Sequence, residues 1–330
     1  MKAVVITRPG PPEVLELRDL PEPRCGPEQV RIRVRAAALN RADLLQRRGL
    51  YPAPAGSPQE IPGLEFAGEI VTLGEQVQDL REGDRVMGIL GGGGYAETVC
   101  VDAGLCAAVP PGLDWLQAGA IPEAFITAYD ALYRQGELQP GETLLVQAAA
   151  SGVGSAAAQL ALAGDVTVIA LSRSDEKRHR LRALGLTHVL DPADAGICEA
   201  IREAAAPDGV DLALDLVGAT ALPLELETLG LDGRIVLIGL LGGTRAELDL
   251  SLLLRKRLRL RGSTLRGRPI PDKIQLTKEW AQHSLPLFDD GSISPIVDRS
   301  YPLEAAAEAH SYMESNRSFG KIVLSVGHDS

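Results

Sequence analysis

A turn of small residues between an apolar run and a helical stretch is the segment best suited to bind a phosphate. It reads AASGVG at positions 149–154, so only Gly154, the last glycine of the strict GxGxxG template, is in place. Alanine and serine are still small enough for the backbone at Ser151, Gly152 and Val153 to approach an anion, which a helix N-terminus stabilises. We interpret this turn as the pyrophosphate site of a dinucleotide; the alternative is a plain turn that packs a helix on a strand.

The next apolar run ends in residues that distinguish between two dinucleotides. Sites for NAD place an Asp or Glu here to bind the ribose 2′-OH. This chain instead has Ser172, Arg173 and Lys177 near that point. Hydroxyls and cations bind a phosphate dianion through charge-assisted hydrogen bonds, which favours NADPH. The alternative is that Arg173 and Lys177 are solvated helix residues, and the nearby Asp175 and Glu176 oppose a bound phosphate.

Near-continuous apolar runs alternate with helical stretches around these two turns. Such runs are typical of strands that are buried on both faces of a parallel sheet. The predicted strands are 143–147, 166–171, 187–191, 210–216 and 234–240. The predicted helices are 155–163, 175–184 and 197–206. This rhythm predicts a doubly wound α/β domain that binds a dinucleotide.

The first third of the chain has short β-type runs separated by Gly and Pro, which predicts a compact β-rich domain. The chain ends in a similar run, and the pattern leaves open whether that run returns to the first domain. The tract 252–268 alternates arginine with leucine, and we interpret it as a half-exposed strand rather than an RNA-binding patch. The predicted strands are 30–38, 65–74, 84–90, 95–101 and 320–326.

Length, composition and charge favour a two-domain soluble protein with a small-molecule partner. The 330 residues are 45% apolar and 23% charged, as in ordinary globular proteins. No apolar stretch approaches the length of a membrane span, and the start has proline where a signal peptide has its apolar core, so we expect a cytoplasmic protein without a membrane partner. A net charge of −11 opposes binding to nucleic acid or anionic lipid.

The cysteines and histidines predict neither a disulfide nor a metal site. The cysteines are scattered without a CxxC pair, and no window provides the roughly four clustered ligands that structural zinc needs. No histidine lies in a recognisable site motif, so a histidine acid/base mechanism is not expected. The residues concerned are Cys25, Cys100, Cys106, Cys198, His179, His188, His283, His310 and His328.

Several motifs together resemble the medium-chain dehydrogenase/reductase superfamily, and within it the zinc-free quinone oxidoreductases related to zeta-crystallin. The pattern is most similar to the tumour-suppressor-inducible branch of these enzymes. The motifs extend over nearly the whole chain, and together they are far more specific than any one of them. They are AAALNRADLLQRRGLYP (36–52), PGLEFAGEIVTLG (62–74), GDRVMGI (83–89), PEAFITAYDAL (122–132), ASGVGSAAAQLA (150–161), RGSTLRGR (261–268) and FGKIVL (319–324).

The resemblance implies a domain organisation that the composition does not reveal. A GroES-like, β-rich catalytic domain would comprise residues 1–122 and 265–330. A Rossmann domain that binds NADPH would be inserted at residues 123–264. The resemblance also implies a homodimer.

Both catalytic zinc ligands of the zinc-dependent relatives are absent from this chain. Those relatives have a catalytic Cys where this chain has Asn40, and a GHE motif where it has Gly63, Leu64 and Glu65. Alcohol dehydrogenation would then lack its Lewis acid, so we expect no metal and reject a zinc alcohol dehydrogenase.

By the same resemblance, Asn40 and Tyr51 line the substrate cleft beside the nicotinamide. Tyr51 is then a hydrogen-bond or proton donor to the oxygen that is reduced, and Asn40 also contacts the coenzyme. The alternatives are that Asn40 caps the helix that begins at Arg41 and that Tyr51 is a packing aromatic. We assign Glu65 and Glu123 only to the organisation of the structure.

Four further coenzyme contacts follow from the resemblance. Thr127 would lie near the nicotinamide ribose or carboxamide, and the turn that contains Gly239 and Leu240 would pass close to the ring. Leu265, in the RGSTLRGR motif, is taken as another contact. Many relatives have a tyrosine beside the adenosine phosphate where this chain has Pro192, so part of the usual 2′-phosphate contact is missing.

These observations predict NADPH-dependent reduction of a small quinone without a metal. A quinone accepts hydride readily and gives an aromatic product, so the protein mainly has to orient the reactants and exclude water. Reduction of α,β-unsaturated aldehydes, ketones or acyl thioesters uses the same coenzyme geometry and stays open. A nucleotide- or RNA-binding protein without turnover is the alternative of another class, and the acidic charge opposes it.

Overall fold

The structure is a computed structural model that describes residues 1–327 and separates into two units. The first unit comprises Met1–Ile126, Leu265–Asp289 and the chain from Pro295. The second unit comprises Thr127–Thr264 and Asp290–Ser294. Within the described residues, no helix has both the length and the apolar character that a membrane crossing needs.

The elements are numbered in chain order. The strands are β1 (Lys2–Ile6), β2 (Leu15–Asp19), β3 (Gln29–Ala38), β4 (Glu65–Leu73), β5 (Arg85–Ile89), β6 (Thr98–Asp102), β7 (Cys106–Ala108), β8 (Thr143–Val146), β9 (Thr167–Leu171), β10 (His188–Leu190), β11 (Val210–Asp215), β12 (Leu229–Leu237), β13 (Arg259–Gly262), β14 (Val297–Pro302) and β15 (Lys321–Ser325). The helices are α1 (Arg41–Arg47), α2 (Trp115–Gly119), α3 (Pro122–Tyr129), α4 (Gly152–Ala163), α5 (Asp175–Ala183), α6 (Ile197–Ala204), α7 (Leu222–Thr228), α8 (Leu250–Arg255), α9 (Ile270–Asp289) and α10 (Ala306–Glu314).

The first unit is built on a seven-stranded sheet. The strand order is β14-β15-β3-β4-β5-β7, and β6 also pairs with β3. The central strand β3 alternates as a half-buried strand does, with Val30, Ile32 and Val34 in the core. Strand β15 pairs antiparallel with β3. The C-terminal run therefore returns to the β-rich first part of the chain, which answers the question that the sequence pattern left open.

The second unit has a six-stranded sheet in which every strand pairing is parallel. The order is β10-β9-β8-β11-β12-β13, so the direction of winding reverses between β8 and β11. Doubly wound sheets bind their ligands at the carboxyl ends of the strands at this reversal. The predicted α/β class is confirmed, and the first four predicted strands agree within one residue at each end. Strand β12 begins earlier than predicted, at Leu229, and ends at Leu237.

The interpretation of the tract 252–268 as one half-exposed strand was wrong. Its first part belongs to helix α8, because the Asp249 carboxylate accepts the Ser251 N–H at 2.8 Å and caps the helix. Only β13 is extended, and all four of its residues are exposed because it forms an edge of the sheet. The alternation of arginine and leucine did not reveal that Asp249 begins a helix before β13.

The prediction that the cysteines form no disulfide was also wrong. Cys25 and Cys100 are bonded, and their Cα atoms are 5.3 Å apart. The antiparallel pairing of β3 with β6 brings the two together, since Cys25 lies just before β3 and Cys100 lies in β6. Their separation of 75 residues in the sequence concealed this proximity.

Candidate functional site

The small-residue turn leads from β8 into α4 as predicted, and its geometry depends on a glycine. Ser151 is the N-cap of the helix, and its Oγ accepts the Gly154 N–H at 3.1 Å. The Ser151 N–H donates to the Ala148 carbonyl at 2.9 Å, which closes the turn. A Cβ atom on Gly154 would lie 2.6 Å from that same carbonyl oxygen. Only glycine therefore allows the helix to start this close to the strand.

The first helical turn leaves backbone donors for an anion. The N–H groups of Gly152 and Val153 lie in the first turn of α4, where a helix offers no intrahelical acceptor. Ser151, Gly152 and Val153 are all partly exposed. Their N–H groups and the positive end of the helix dipole fit the pyrophosphate of a dinucleotide.

The residues predicted to bind a 2′-phosphate lie in the turn between β9 and α5. Ser172 is buried, whereas Arg173 is exposed at the tip of the turn. Ser174 caps α5, and its Oγ accepts the Lys177 N–H at 3.4 Å. Arg173 and Lys177 thus lie on either side of the Ser174 cap, near the carboxyl end of β9.

Arg178 braces this turn, and the sequence analysis did not identify it. Its Nη1 donates to the carbonyls of Ser172 and Arg173, at 2.9 Å each, and to Asp191 at 2.8 Å. The guanidinium thereby fixes the backbone that presents Arg173. Arg178 is partly buried, and the sequence does not distinguish it from the other charged residues of α5.

The other predicted coenzyme contacts are divided between the two units. Thr127 Oγ1, in the second unit, is buried and has no hydrogen-bond partner among the described residues. Gly239 packs closely, because a Cβ there would lie 2.5 Å from the Leu216 carbonyl oxygen. Leu240, next to it, is 53% exposed. Leu265 is buried and belongs to the first unit.

A buried lysine in the first unit is bound to three acceptors. Lys321 Nζ donates to Leu39 O at 2.9 Å, to Asn40 Oδ1 at 2.7 Å and to Glu65 Oε1 at 2.7 Å. Glu65 is 0% and Lys321 5% exposed. An ammonium group has three protons to donate, so this arrangement satisfies it fully. The ion pair is compensated by hydrogen bonds, as a buried pair has to be.

Asn40 belongs to this network through its side chain and begins α1 through its backbone. Its Nδ2 donates to Glu65 Oε1 at 2.8 Å, and its N–H donates to Asp43 Oδ2 at 2.8 Å. The amide is therefore oriented by Lys321 and Glu65. Within residues 1–327, no group of three or more His, Cys, Asp or Glu side chains is arranged to hold a metal.

Arg266 fixes the position of Tyr51, and it too was not predicted as a site residue. Its Nη1 donates to the Tyr51 carbonyl at 3.1 Å, and its guanidinium carbon lies 5.2 Å from the centre of the Tyr51 ring. Its other nitrogens donate to Gly91 O at 2.8 Å and to Gln46 Oε1 at 2.5 Å. Burial raises the pKa of the Tyr51 phenol, and the charge of Arg266 opposes that rise. Tyr51 is therefore a neutral hydroxyl held in place by a cation.

His310 lies in a second buried network and has a structural role. Arg47 Nη1 lies 3.2 Å from His310 Nδ1, so Nδ1 accepts and Nε2 carries the proton toward the Tyr95 hydroxyl at 3.2 Å. That hydroxyl donates to Asp43 Oδ2 at 3.3 Å, and Asp43 Oδ1 accepts the Gly63 N–H at 3.0 Å. Burial, assisted by the charge of Arg47, lowers the pKa of His310 to about 3, so the ring stays neutral. His328 lies outside the described residues.

Two family models match the sequence, one in each half. The alcohol dehydrogenase GroES-like domain matches residues 26–111, and the zinc-binding dehydrogenase domain matches residues 152–283. The synaptic vesicle membrane protein VAT-1 homolog of Rattus norvegicus is 32% identical over 99% of this chain and 84% of its own length. Quinone oxidoreductase-like protein 2 of Bos taurus is 32% identical over 91% of this chain and 86% of its own length.

Solved structures match the whole chain. An NAD-dependent alcohol dehydrogenase has a TM-score of 0.89 and 32% identity, and the match covers 99% of this chain and 100% of that one. The Escherichia coli quinone oxidoreductase complexed with NADPH has a TM-score of 0.88 and 26% identity, with 98% and 100% covered. The fold of this chain is therefore shared with solved proteins whose names give different coenzymes.

Proposed function

We propose a function from the premise that this chain belongs to the medium-chain dehydrogenase/reductase superfamily, as a member of the zinc-free quinone oxidoreductase type. It is accordingly an oxidoreductase with a GroES-like and a Rossmann-like domain. We propose residues 1–122 and 265–330 for the first domain and 123–264 for the second. The specific activity that we propose is hydride transfer from NADPH to a small quinone.

The observation that carries this proposal is the network that Lys321 forms with Leu39 O, Asn40 and Glu65 in the first unit. We call it the lysine-filled network. Zinc-dependent relatives place a ligand at the position of Asn40, whereas the Asn40 and Glu65 oxygens here accept from the Lys321 ammonium. These residues can organise the site, but their donor set does not polarise an alcohol oxygen. A conjugated acceptor needs less polarisation, because its own π-system delocalises the negative charge that hydride brings. This difference favours quinones over simple alcohols.

The residues of the second unit fit a phosphorylated nicotinamide coenzyme. The turn from Ser151 to Gly154 would hold the pyrophosphate, and Ser172, Arg173 and Lys177 would hold the 2′-phosphate. The unpartnered buried hydroxyl of Thr127 is a group that a coenzyme amide or ribose would satisfy. When bound, the coenzyme supplies the hydride.

Arg173→Asp is expected to weaken NADPH binding about tenfold and to leave NADH binding nearly unchanged. The substitution removes a charge-assisted hydrogen bond to the 2′-phosphate and adds a repulsion, and a tenfold change corresponds to about 1.4 kcal/mol. Calorimetric titration of the unmutated protein and the variant with both coenzymes measures the difference. Arg202→Asp, on α6, is the matched control for the charge change.

Equal affinity of the unmutated protein for NADPH and NADH would overturn the 2′-phosphate assignment. An equal loss of affinity for both coenzymes in the Arg173 variant would instead indicate that the turn is damaged, since Arg178 holds the same backbone. The control variant is expected to bind both coenzymes as the unmutated protein does.

The activity itself is tested by NADPH oxidation with a panel of ortho- and para-quinones, enals, enones and simple alcohols with NADP⁺. We expect quinones to be the preferred acceptors and alcohols to be inactive. Preference for enals or enones would move the protein to the reductases of conjugated carbonyls. Turnover of alcohols would contradict the proposal.

The basic tract offers little support for an RNA-binding function. Two of its arginines are paired with acids: Arg257 lies 2.5 Å from Asp232, and Arg259 lies 3.1 Å from Glu137. Arg266 is buried against Tyr51. These residues therefore do not form the strip of free positive charge that nucleic-acid binding needs.

A homodimer and a cytoplasmic location remain predictions. The exposed edge strand β13 offers unpaired backbone groups to a second sheet. Leu250 and Leu254, in the helix before it, are 62% and 77% exposed. Both features favour self-association at this edge of the second unit.

A further inference from the structure

Glu123 is an acid that the assignments above leave unused. It is the second residue of α3, and its N–H donates to Glu65 Oε2 at 2.8 Å. The other oxygen of Glu65 accepts from Lys321 and Asn40. The start of α3 is therefore tied to the lysine-filled network. Glu123 itself is partly exposed, and within residues 1–327 no hydrogen bond reaches its carboxyl oxygens.

The surroundings of Glu123 keep it protonated near neutral pH. Burial has the largest effect on its pKa, and repulsion from Glu65 and Asp43 raises the pKa further. The cations Lys321 and Arg266 act in the opposite direction, and the resulting pKa is about 8. Groups whose pKa lies near the working pH are the most effective proton donors, because they hold a proton and can also release it.

Glu123 shares this environment with Tyr51. Burial raises the pKa of Tyr51, Arg266 lowers it, and the Glu123 charge raises it again. Burial lowers the pKa of Lys273, and Glu123 opposes that effect. Lys273 Nζ lies 3.5 Å from the carbonyl of Arg266, whose guanidinium lies over the Tyr51 ring. A protonated acid, a phenol and two cations thus form one cluster in the first unit.

We propose that Glu123 supplies the proton in acceptor reduction, directly or through the Tyr51 hydroxyl. The proposal rests on the function proposed above. The quinone takes two electrons and one hydrogen as hydride, and NADPH is oxidised to NADP⁺. The O–H bond of Glu123 then breaks as an O–H bond forms on the hydroquinone anion. Lys273, Lys321 and Arg266 stabilise the carboxylate that remains, and solvent returns its proton.

The test is Glu123→Gln, which keeps the shape of the side chain and removes the acidic proton. With duroquinone, which has no free ring position for addition of a thiol, we expect kcat/KM near neutral pH to fall about tenfold. In the unmutated protein kcat/KM should also fall as the pH rises through about 8, where Glu123 loses its proton. That alkaline fall should be absent from the variant. Glu123→Asp should partly restore the rate.

A second readout needs neither coenzyme nor turnover. The pKa of Glu123 is about 8 in the folded protein, above its ordinary value of 4.5, so the unfolded chain releases this proton first as the pH rises. The contribution of Glu123 to stability is then lost progressively between pH 4.5 and about 8. Urea unfolding across this pH range should show that the free energy of unfolding falls more steeply with pH in the unmutated protein than in Glu123→Gln. The exposed Glu82→Gln is the matched control and should follow the unmutated protein.

The outcomes separate this inference from the proposed function. If the unmutated protein does not reduce duroquinone or any other quinone of the panel, the proposed function fails. If it does, but Glu123→Gln keeps its rate and its alkaline fall, Glu123 is not the proton donor. Identical stability profiles for the variant and the unmutated protein would show that Glu123 is already ionised at neutral pH, which also overturns the inference.

Discussion

Lys321→Met is expected to destabilise the first unit by about 3–5 kcal/mol. The substitution leaves the Glu65 carboxylate, which is 0% exposed, without its cation. The N–H groups that remain on Glu65, from Asn40 and Glu123, are neutral donors and do not compensate a buried charge. The cost is therefore that of an isolated buried carboxylate rather than of one lost hydrogen bond.

Urea unfolding measures this cost, and a double-mutant cycle assigns it. Lys321→Met combined with Glu65→Gln should be more stable than Lys321→Met alone, because the amide removes the uncompensated charge. Lys278→Met, on the exposed side of α9, is the matched control. Its free energy of unfolding should stay within about 0.5 kcal/mol of that of the unmutated protein. Additive effects of Lys321→Met and Glu65→Gln would show that the pair is not coupled and would contradict the role given to Lys321.

The fold was largely predictable where burial on both faces leaves a strong pattern. The strands β8 to β11 are short apolar runs bounded by turns and helical stretches, so their ends were evident from the sequence. The tract before β13 was misassigned because a single capping residue, Asp249, decides where helix α8 forms. The pairing of Cys25 with Cys100 depends on the antiparallel contact of β3 and β6, and no local pattern encodes such a contact.

The candidate site was predictable where one segment forms it. The turn from Ser151 to Gly154 is continuous in the sequence, and strand, turn and helix follow in order. The network around Lys321 joins residues that are 256 and 281 positions apart in the sequence, and its pairing with Glu65 and Asn40 could not be deduced from spacing. The prediction gave Glu65 and Glu123 a purely structural role, since the sequence does not reveal which acids lie close together in the fold.

The lysine-filled network also gives a physical reason for the missing zinc ligands. A zinc site needs several anionic or imidazole ligands that converge on one point. Here Asn40 and Leu39 O provide neutral oxygens, and Glu65 provides a carboxylate that matches the single charge of Lys321. The same backbone framework thus holds a fixed internal cation, and we expect the chemistry to depend on the acids and phenols around it.

Gly154→Ala is expected to weaken coenzyme binding about 100-fold, which corresponds to about 2.7 kcal/mol. The new Cβ would lie 2.6 Å from the Ala148 carbonyl oxygen and 2.8 Å from the Ala149 Cα atom, and both are backbone atoms that cannot rotate away. The first turn of α4 would therefore shift away from β8. The N–H groups that point toward the pyrophosphate would shift with it.

Gly262→Ala is the matched control, because a Cβ at Gly262 meets nothing within 4 Å in the same unit. Calorimetry with NADPH compares the two variants with the unmutated protein, and circular dichroism verifies that each is folded. Since alanine is a better helix former than glycine, a folded Gly154 variant that has lost binding would locate the effect in the turn. Undiminished affinity in that variant would mean that the coenzyme does not bind at the start of α4, and the function proposed from this turn would have to be abandoned.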